Sequence, residues 1–296
     1  MRAGVPRRHE AELHGRHGAE AAGPQGTALP LRHELRRQLG RARTRWLFAL
    51  ILVLPLVFVA AFAIGRSGAP DAGAASFIDL ATMSAPNFTV FTLIVSADLL
   101  LGIVAAMFLG DAVPTEANWK SLRYLLTAPV PRVRLLVAKL MVGAALTFIA
   151  IVVLALWAVI VGAVAYGLDP YRGLTGATLT WPELWPRLLA TVLFLFVNVL
   201  QVGSLAFLLG VRTEAPLAAV GGAVMIVIVA AILDSLDALG ALRHGLPLHY
   251  ARAWLDLFAH EIAWTDFARG VAWAVLYSVV FVGLGVRRFL RSDVLS

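Results

Sequence analysis

A chain of 296 residues that is 60% hydrophobic and only 15% charged falls outside the usual range of soluble domains. The absence of cysteine excludes a disulfide framework and any Cys-based metal site. A net charge of +7 superficially suits nucleic acid, but the basic residues concentrate beside apolar runs, where membrane topology and anionic lipid account for them. No nucleic-acid partner is expected.

Residues 1–26 are rich in Arg, His, Gly, Ala and Glu without apolar periodicity, and read as a disordered cytoplasmic tail. The first apolar run begins too late and is too long for a signal peptide. Over residues 27–45, Leu31, Leu35 and Leu39 recur at helical spacing among Arg32, Arg36, Arg37, Arg41 and Arg43. This pattern predicts a basic amphipathic helix in the membrane interface, leading to Trp46 at headgroup level. A merely solvated charged helix is the alternative.

Six apolar stretches follow, at about 46–65, 88–110, 140–167, 188–210, 217–233 and 267–286. At about 20 residues and 1.5 Å per residue, each can cross a hydrocarbon core. They are continuously apolar rather than alternating, so they predict helices, not barrel strands, and the expected class is an all-α polytopic membrane protein. Pro55 should kink the first span unless neighbours satisfy the freed carbonyl.

Of the 25 basic residues, ten lie in 1–45, five in 111–139, one in 211–216 and three in 287–296. All nineteen fall on one side of a six-span chain, which places both termini in the cytoplasm. The remaining six arginines sit near the other face.

The segment 111–139 reads DAVPTEANWKSLRYLLTAPVPRVRLLVAK. A helix from about Thr115 to Thr127 puts Trp119, Leu122, Leu125 and Leu126 on one side and Glu116, Lys120 and Arg123 on the other, with Glu116 and Lys120 in the favourable i, i+4 order. Pro129 and Pro131 end it. Such a helix between two spans suits a protein on which a soluble partner pushes; an interfacial loop with no partner fits the spacing equally well. On the opposite side, residues 234–266 carry Tyr250, Trp254, Leu257, Phe258 and Ile262 at helical spacing, predicting an amphipathic helical loop on the outer leaflet or capping a translocation path.

The pattern Glu116-x-x-Trp119-Lys120-x-Leu122-x-x-Leu125-Leu126-x-x-Pro129-Val130-x-Arg132, followed by Leu135, Leu136 and Lys139, resembles the coupling-helix region of ABC-2 type permeases, the membrane subunits of type V ABC exporters. The likeness extends over the layout of residues 30–296, to the Arg-rich end Arg287-Arg288-Phe289-Leu290-Arg291. Lys120-Ser121 stands where many members have Gly-Thr, and Pro131 replaces the usual Ser. The Asn118-Trp119-Lys120 variant is similar to members associated with antimicrobial-peptide export. The resemblance implies a coupling surface made of Glu116, Trp119, Lys120, Leu122, Arg123, Leu125, Leu126, Pro129 and Arg132, a separate ATPase subunit carrying ATP and Mg, and a second permease, either a copy or a related chain. Consistently, the chain has no G-x-x-x-x-G-K-[ST] motif: its two lysines, Lys120 and Lys139, follow Trp and Ala. A non-catalytic exporter subunit for a drug, antimicrobial peptide or lipid is therefore expected. The alternative is an ATPase-independent secondary transporter or channel.

Asp98 falls near the middle of the second span, where an ionised carboxylate faces protein or a watery cavity. It reads as part of the substrate path or of a conformational switch, or else as a structural, protonated hydrogen-bonding group. Asn198 and Gln201, three apart in the fourth span, read first as interhelical glue and otherwise as cavity lining. His244, His249 and His260 match no metal spacing, and His260-Glu261 is not completed to H-E-x-x-H because Trp264 takes the final place. No metal is expected.

Overall fold

The computed structural model describes residues 31–65, 72–110, 132–173, 176–213 and 215–291. Among them are nine α-helices: α1 (Leu31–Leu39), α2 (Ala42–Gly65), α3 (Ala72–Ala81), α4 (Ala85–Asp98), α5 (Leu100–Gly110), α6 (Arg132–Tyr166), α7 (Trp181–Arg212), α8 (Pro216–Asp234) and α9 (Trp264–Arg291). Five of these, α2, α6, α7, α8 and α9, are long and apolar enough to cross a membrane. The pair α4 and α5 passes the same test together but bends by 53°. The expected second span is thus broken into two helices, the geometry of a broken span or of a re-entrant loop.

The break has a local cause. Thr89, Thr92 and Ser96 each donate a hydroxyl hydrogen bond to the carbonyl four residues back, at 2.9, 2.8 and 2.6 Å. Such bonds compete with the helical ladder and bend it. Leu99 then leaves the helical region, at φ −139° and ψ −50°. By contrast, α2 runs unbroken through Pro55. In the turn before that proline, the indole of Trp157 on α6 donates to the Leu52 carbonyl at 2.8 Å.

Helix α7 is the centre of the bundle. Its apolar stretch is 72% buried, against 17% for α8 and 11% for α9. Around it, Leu101, Val104 and Phe108 of α5, Leu146 and Leu154 of α6 and Ile51 of α2 form the core. Close helix approach depends on small residues: a Cβ on Gly143 of α6 would lie 2.8 Å from the Phe108 carbonyl oxygen, and one on Gly203 of α7 would lie 3.0 Å from that of Ala105. The outward faces of α2, α8 and α9 expose Val57, Met225, Ile232 and Val279, an apolar surface that needs lipid or another helix against it.

Two ends of the bundle are distinct. One carries a two-stranded antiparallel hairpin, β1 (Tyr171–Arg172) with β2 (Thr178–Leu179), joined to α4 through Asn87, which donates to the Arg172 carbonyl and accepts from its N–H. We call this the hairpin end. The segments 66–71 and 111–131 lie outside the described residues, as do 1–30 and 292–296. The predicted tail and the predicted helix 115–127 therefore lie outside the described residues.

Several expectations are corrected. The amphipathic N-terminal helix, expected over 27–45, is helical over Leu31–Leu39, breaks at Gly40–Arg41, and resumes as the start of α2. The third span extends back to Arg132 as one helix, because the charged turn before Lys139 keeps the helical path beyond its apolar part. The expected outer helical loop, 235–263, is 3-10 rather than α-helical. It folds as 3-10 turns, Asp237–Gly245 and Ala253–Phe258, interrupted at Gly240 (φ 51°) and Leu248 (φ 68°). Within it Trp254, Leu257 and Phe258 are buried against the hairpin and α7, with the Phe258 ring 5.4 Å from that of Tyr171, while Leu236 and Leu242 are exposed.

Candidate functional site: a polar cavity at the broken span

The loop 235–263 is tied to the bundle by Arg187 of α7, whose Nη1 donates to the Leu257 and Ala259 carbonyls at 2.6 and 3.0 Å. This anchoring directs residues 247–252 inward, toward the break between α4 and α5. There Arg252 meets Asp98 in a two-pronged pair: Nη2 donates to Oδ2 at 2.6 Å and Nε donates to Oδ1 at 3.2 Å. The carboxylate holds the guanidinium above the usual arginine range through this hydrogen bond and its charge, so Arg252 stays protonated.

The pair stands at the wall of a cavity of about 430 Å³. The other walls are Asn198, Val199 and Val202 from α7, Val224 and Val227 from α8, and Gly102 and Ile103 from α5. Leu248 and His249 close it from the loop. His249 Nδ1 is hydrogen-bonded to Asp234 Oδ1 at the end of α8, and both residues line the cavity. Behind them, His249 Nε2 and the Tyr250 hydroxyl both lie 3.1 Å from His244 Nδ1. Among the described residues no group of three His, Cys, Asp or Glu side chains is arranged to hold a metal ion.

The residues singled out from sequence separate into groups. Asp98 lines the cavity and is ion-paired. Asn198 and Gln201 are buried, but the bond they make, Gln201 Nε2 to Asn198 Oδ1 at 3.1 Å, runs along α7. The expected interhelical bond is replaced by this local one because a spacing of three places both amides on one helix face. Asn198 faces the cavity, while Gln201 Oε1 is buried with no partner among the described residues. At the opposite end, Arg36 and Arg37 occupy the last turn of α1, and Trp46 is 75% exposed. Glu116, Trp119, Lys120, Leu122, Arg123, Leu125, Leu126 and Pro129 lie outside the described residues, and Arg132 is the first residue of α6.

Arg252, His249 and Arg43 carry contacts that no spacing suggested. A signal for Arg252 did exist: an acidic residue at mid-span demands a counter-charge, and Arg252 is one of six arginines assigned to that side. Arg43, at the start of α2, donates from Nη2 to the Met107 carbonyl at 3.2 Å, in the last turn of α5. A cation at a helix C-terminus meets carbonyls without intrahelical partners.

A bundle of long apolar helices with one broken span and a polar cavity beside the break defines a multi-pass membrane protein with a transport-type architecture. The family model described as "ABC-2 family transporter protein" matches residues 39–230, about two thirds of the chain. The chain belongs to the ABC-2 transporter family, and is a permease of the ABC transporter class. Neither the curated proteins nor the solved structures yield a match.

Proposed function

We propose that this chain is the path-forming subunit of an ATP-driven exporter, with hydrolysis in a separate ATPase that holds ATP and Mg. The observation that carries the proposal is the family match, which covers the start of α2, the segment 111–131 and the cavity walls contributed by α5 and α7 in one span of sequence. The positive-inside asymmetry supports an orientation with both termini cytoplasmic and the hairpin end outside.

In this reading the ATPase docks on the helix 115–127 through Trp119, Leu122, Leu125 and Leu126, with Glu116, Lys120 and Arg123 at the rim. The segment is continuous with α5 on one side and α6 on the other, so a push on it moves both. Arg43 ties the amphipathic N-terminal region to the same end of α5. Helix α5 has eleven residues, about 16 Å at 1.5 Å per residue, and ends at the bend beside Asp98. It is a short lever from the docking segment to the cavity. Two such chains pair in lipid to enclose a path, and drugs, antimicrobial peptides and lipids are the substrate classes that an aliphatic cavity with few polar groups accepts.

The test is co-purification from membranes. The wild-type chain is expected to bring down a nucleotide-binding chain with a P-loop, and Leu122→Asp with Leu125→Asp to lose it while keeping normal expression and elution. ATP-dependent export that survives both substitutions would refute the docking assignment.

A further inference from the structure

Coupling accounts for the lever but not for the charges in the cavity. Asp98, Asp234 and Arg252 all line it, two carboxylates against one guanidinium, with His249 hydrogen-bonded to Asp234. We propose that Arg252 is a placeholder in a ligand site, and that the cavity takes an amphipathic organic cation whose guanidinium or ammonium head replaces Arg252 on Asp98. The proposal rests on the reading of Asp98 as part of the substrate path, and names the substrate's chemical class.

Four features support it. The excess of carboxylate over fixed cation favours an entering positive charge and opposes a negative one. The Asp98–Arg252 pair is exchangeable: the two side chains remain 46% and 69% exposed, and ion pairs so exposed contribute little net free energy. The pair has a two-pronged geometry that another guanidinium reproduces without rearrangement of the carboxylate. Finally, the apolar walls from α7 and α8 and a volume of about 430 Å³ suit the body of a drug-sized amphiphile.

The loop is also poised to leave. Leu248 has φ 68°, in the left-handed region that disfavours a residue with a Cβ, and is held there by packing against the buried cluster of α5, α7 and α8 that contains Ala106, Val202 and Ala223. Withdrawal of Arg252 by an incoming cation releases one of the contacts that keep this strained turn in the cavity. Arg252 thus acts as a tethered competitor: it occupies Asp98 in the empty state and yields to a ligand with the same head group and a better apolar fit.

The full chain in neutral phosphatidylcholine nanodiscs is titrated with radiolabelled dodecylguanidinium, with empty nanodiscs subtracted. Saturable binding is expected. Asp98→Asn should weaken it at least about tenfold, and Arg252→Gln should tighten it about two- to fivefold, because the competitor is gone. The opposite signs separate this account from a structural role, in which both substitutions weaken binding; that outcome would overturn it. So would saturable binding of dodecyl phosphate that is lost in Arg252→Gln, which makes the cavity an anion site. No ATPase is present, so absence of cation binding leaves the exporter reading intact, and loss of ATPase docking leaves this site intact.

Discussion

Arg252 and Asp98 are 154 residues apart in sequence, yet the guanidinium of one lies 2.6 Å from the carboxylate of the other across the mouth of the cavity. The pair ties the loop after α8 to the break in the second span, so the loop's position and the bend report on each other. Both side chains stay largely exposed, and an exposed pair is worth about 0.2–1 kcal/mol. Arg252→Gln should therefore lower thermal stability in nanodiscs only slightly, while changing ligand binding. The sign of the pH dependence follows from the raised Arg252 pKa. Its contribution is fully present below the ordinary arginine value and is lost only as pH rises through the raised one, so this term should be flat between about pH 6 and 10.

Two glycines predict opposite outcomes. A Cβ at Gly143 meets the Phe108 carbonyl oxygen at 2.8 Å, whereas one at Gly221 meets nothing within 4 Å. Gly143→Val should force α5 and α6 apart and cost about 1–3 kcal/mol. Gly221→Ala should be neutral or mildly stabilising, since it removes backbone freedom in an exposed helix. Thermal unfolding followed by size-exclusion recovery distinguishes the two.

Trp254 is 1% exposed, and its indole Nε1 has no hydrogen-bond partner among the described residues. A buried unpaired donor costs free energy that a ring without it does not. Trp254→Phe should be close to neutral in stability, while Trp254→Ala should lose about 3–5 kcal/mol by leaving a cavity. Equal losses for both would show that the N–H has a partner.

Arg187→Ala removes the donor to the Leu257 and Ala259 carbonyls and should cost about 2 kcal/mol. The consequence should be local: limited proteolysis within 253–263 accelerates while the core helices stay protected. Uniform acceleration across the chain would show that the loop is not a separate unit.

The apolar runs made the membrane helices legible, because the length needed to cross a bilayer leaves a continuous imprint on composition. Asp98 was legible as unusual for the same reason. The need for a counter-charge was legible with it, but which of the six arginines on that side supplies it was not, since nothing in the local pattern around Arg252 encodes a contact made 154 residues away. Helical spacing in 250–262 was followed only in part: Ala253–Phe258 is helical, but as a short 3-10 helix whose Trp254, Leu257 and Phe258 are buried in the bundle. The bend at Leu99 could have been suspected from Thr89, Thr92 and Ser96 on one helix. Helix α3 and the hairpin escaped notice because small residues dominate the first and each strand of the second has only two residues.

The central claim is that ATP on another chain rearranges this cavity. The chain has no native cysteine, so a single thiol can be introduced without background. Gly102 lines the cavity, and a Cβ there makes only an ordinary contact, 3.8 Å from the side chain of Val202. With Gly102→Cys in membranes, the rate of modification by a water-soluble maleimide is measured with and without MgATP and the co-purified ATPase. The account predicts a change of at least about fivefold that requires both, and that vanishes when the ATPase's P-loop lysine is replaced. A rate unmoved by ATP with the ATPase bound, or a change driven by an ion gradient with no ATPase present, would contradict it.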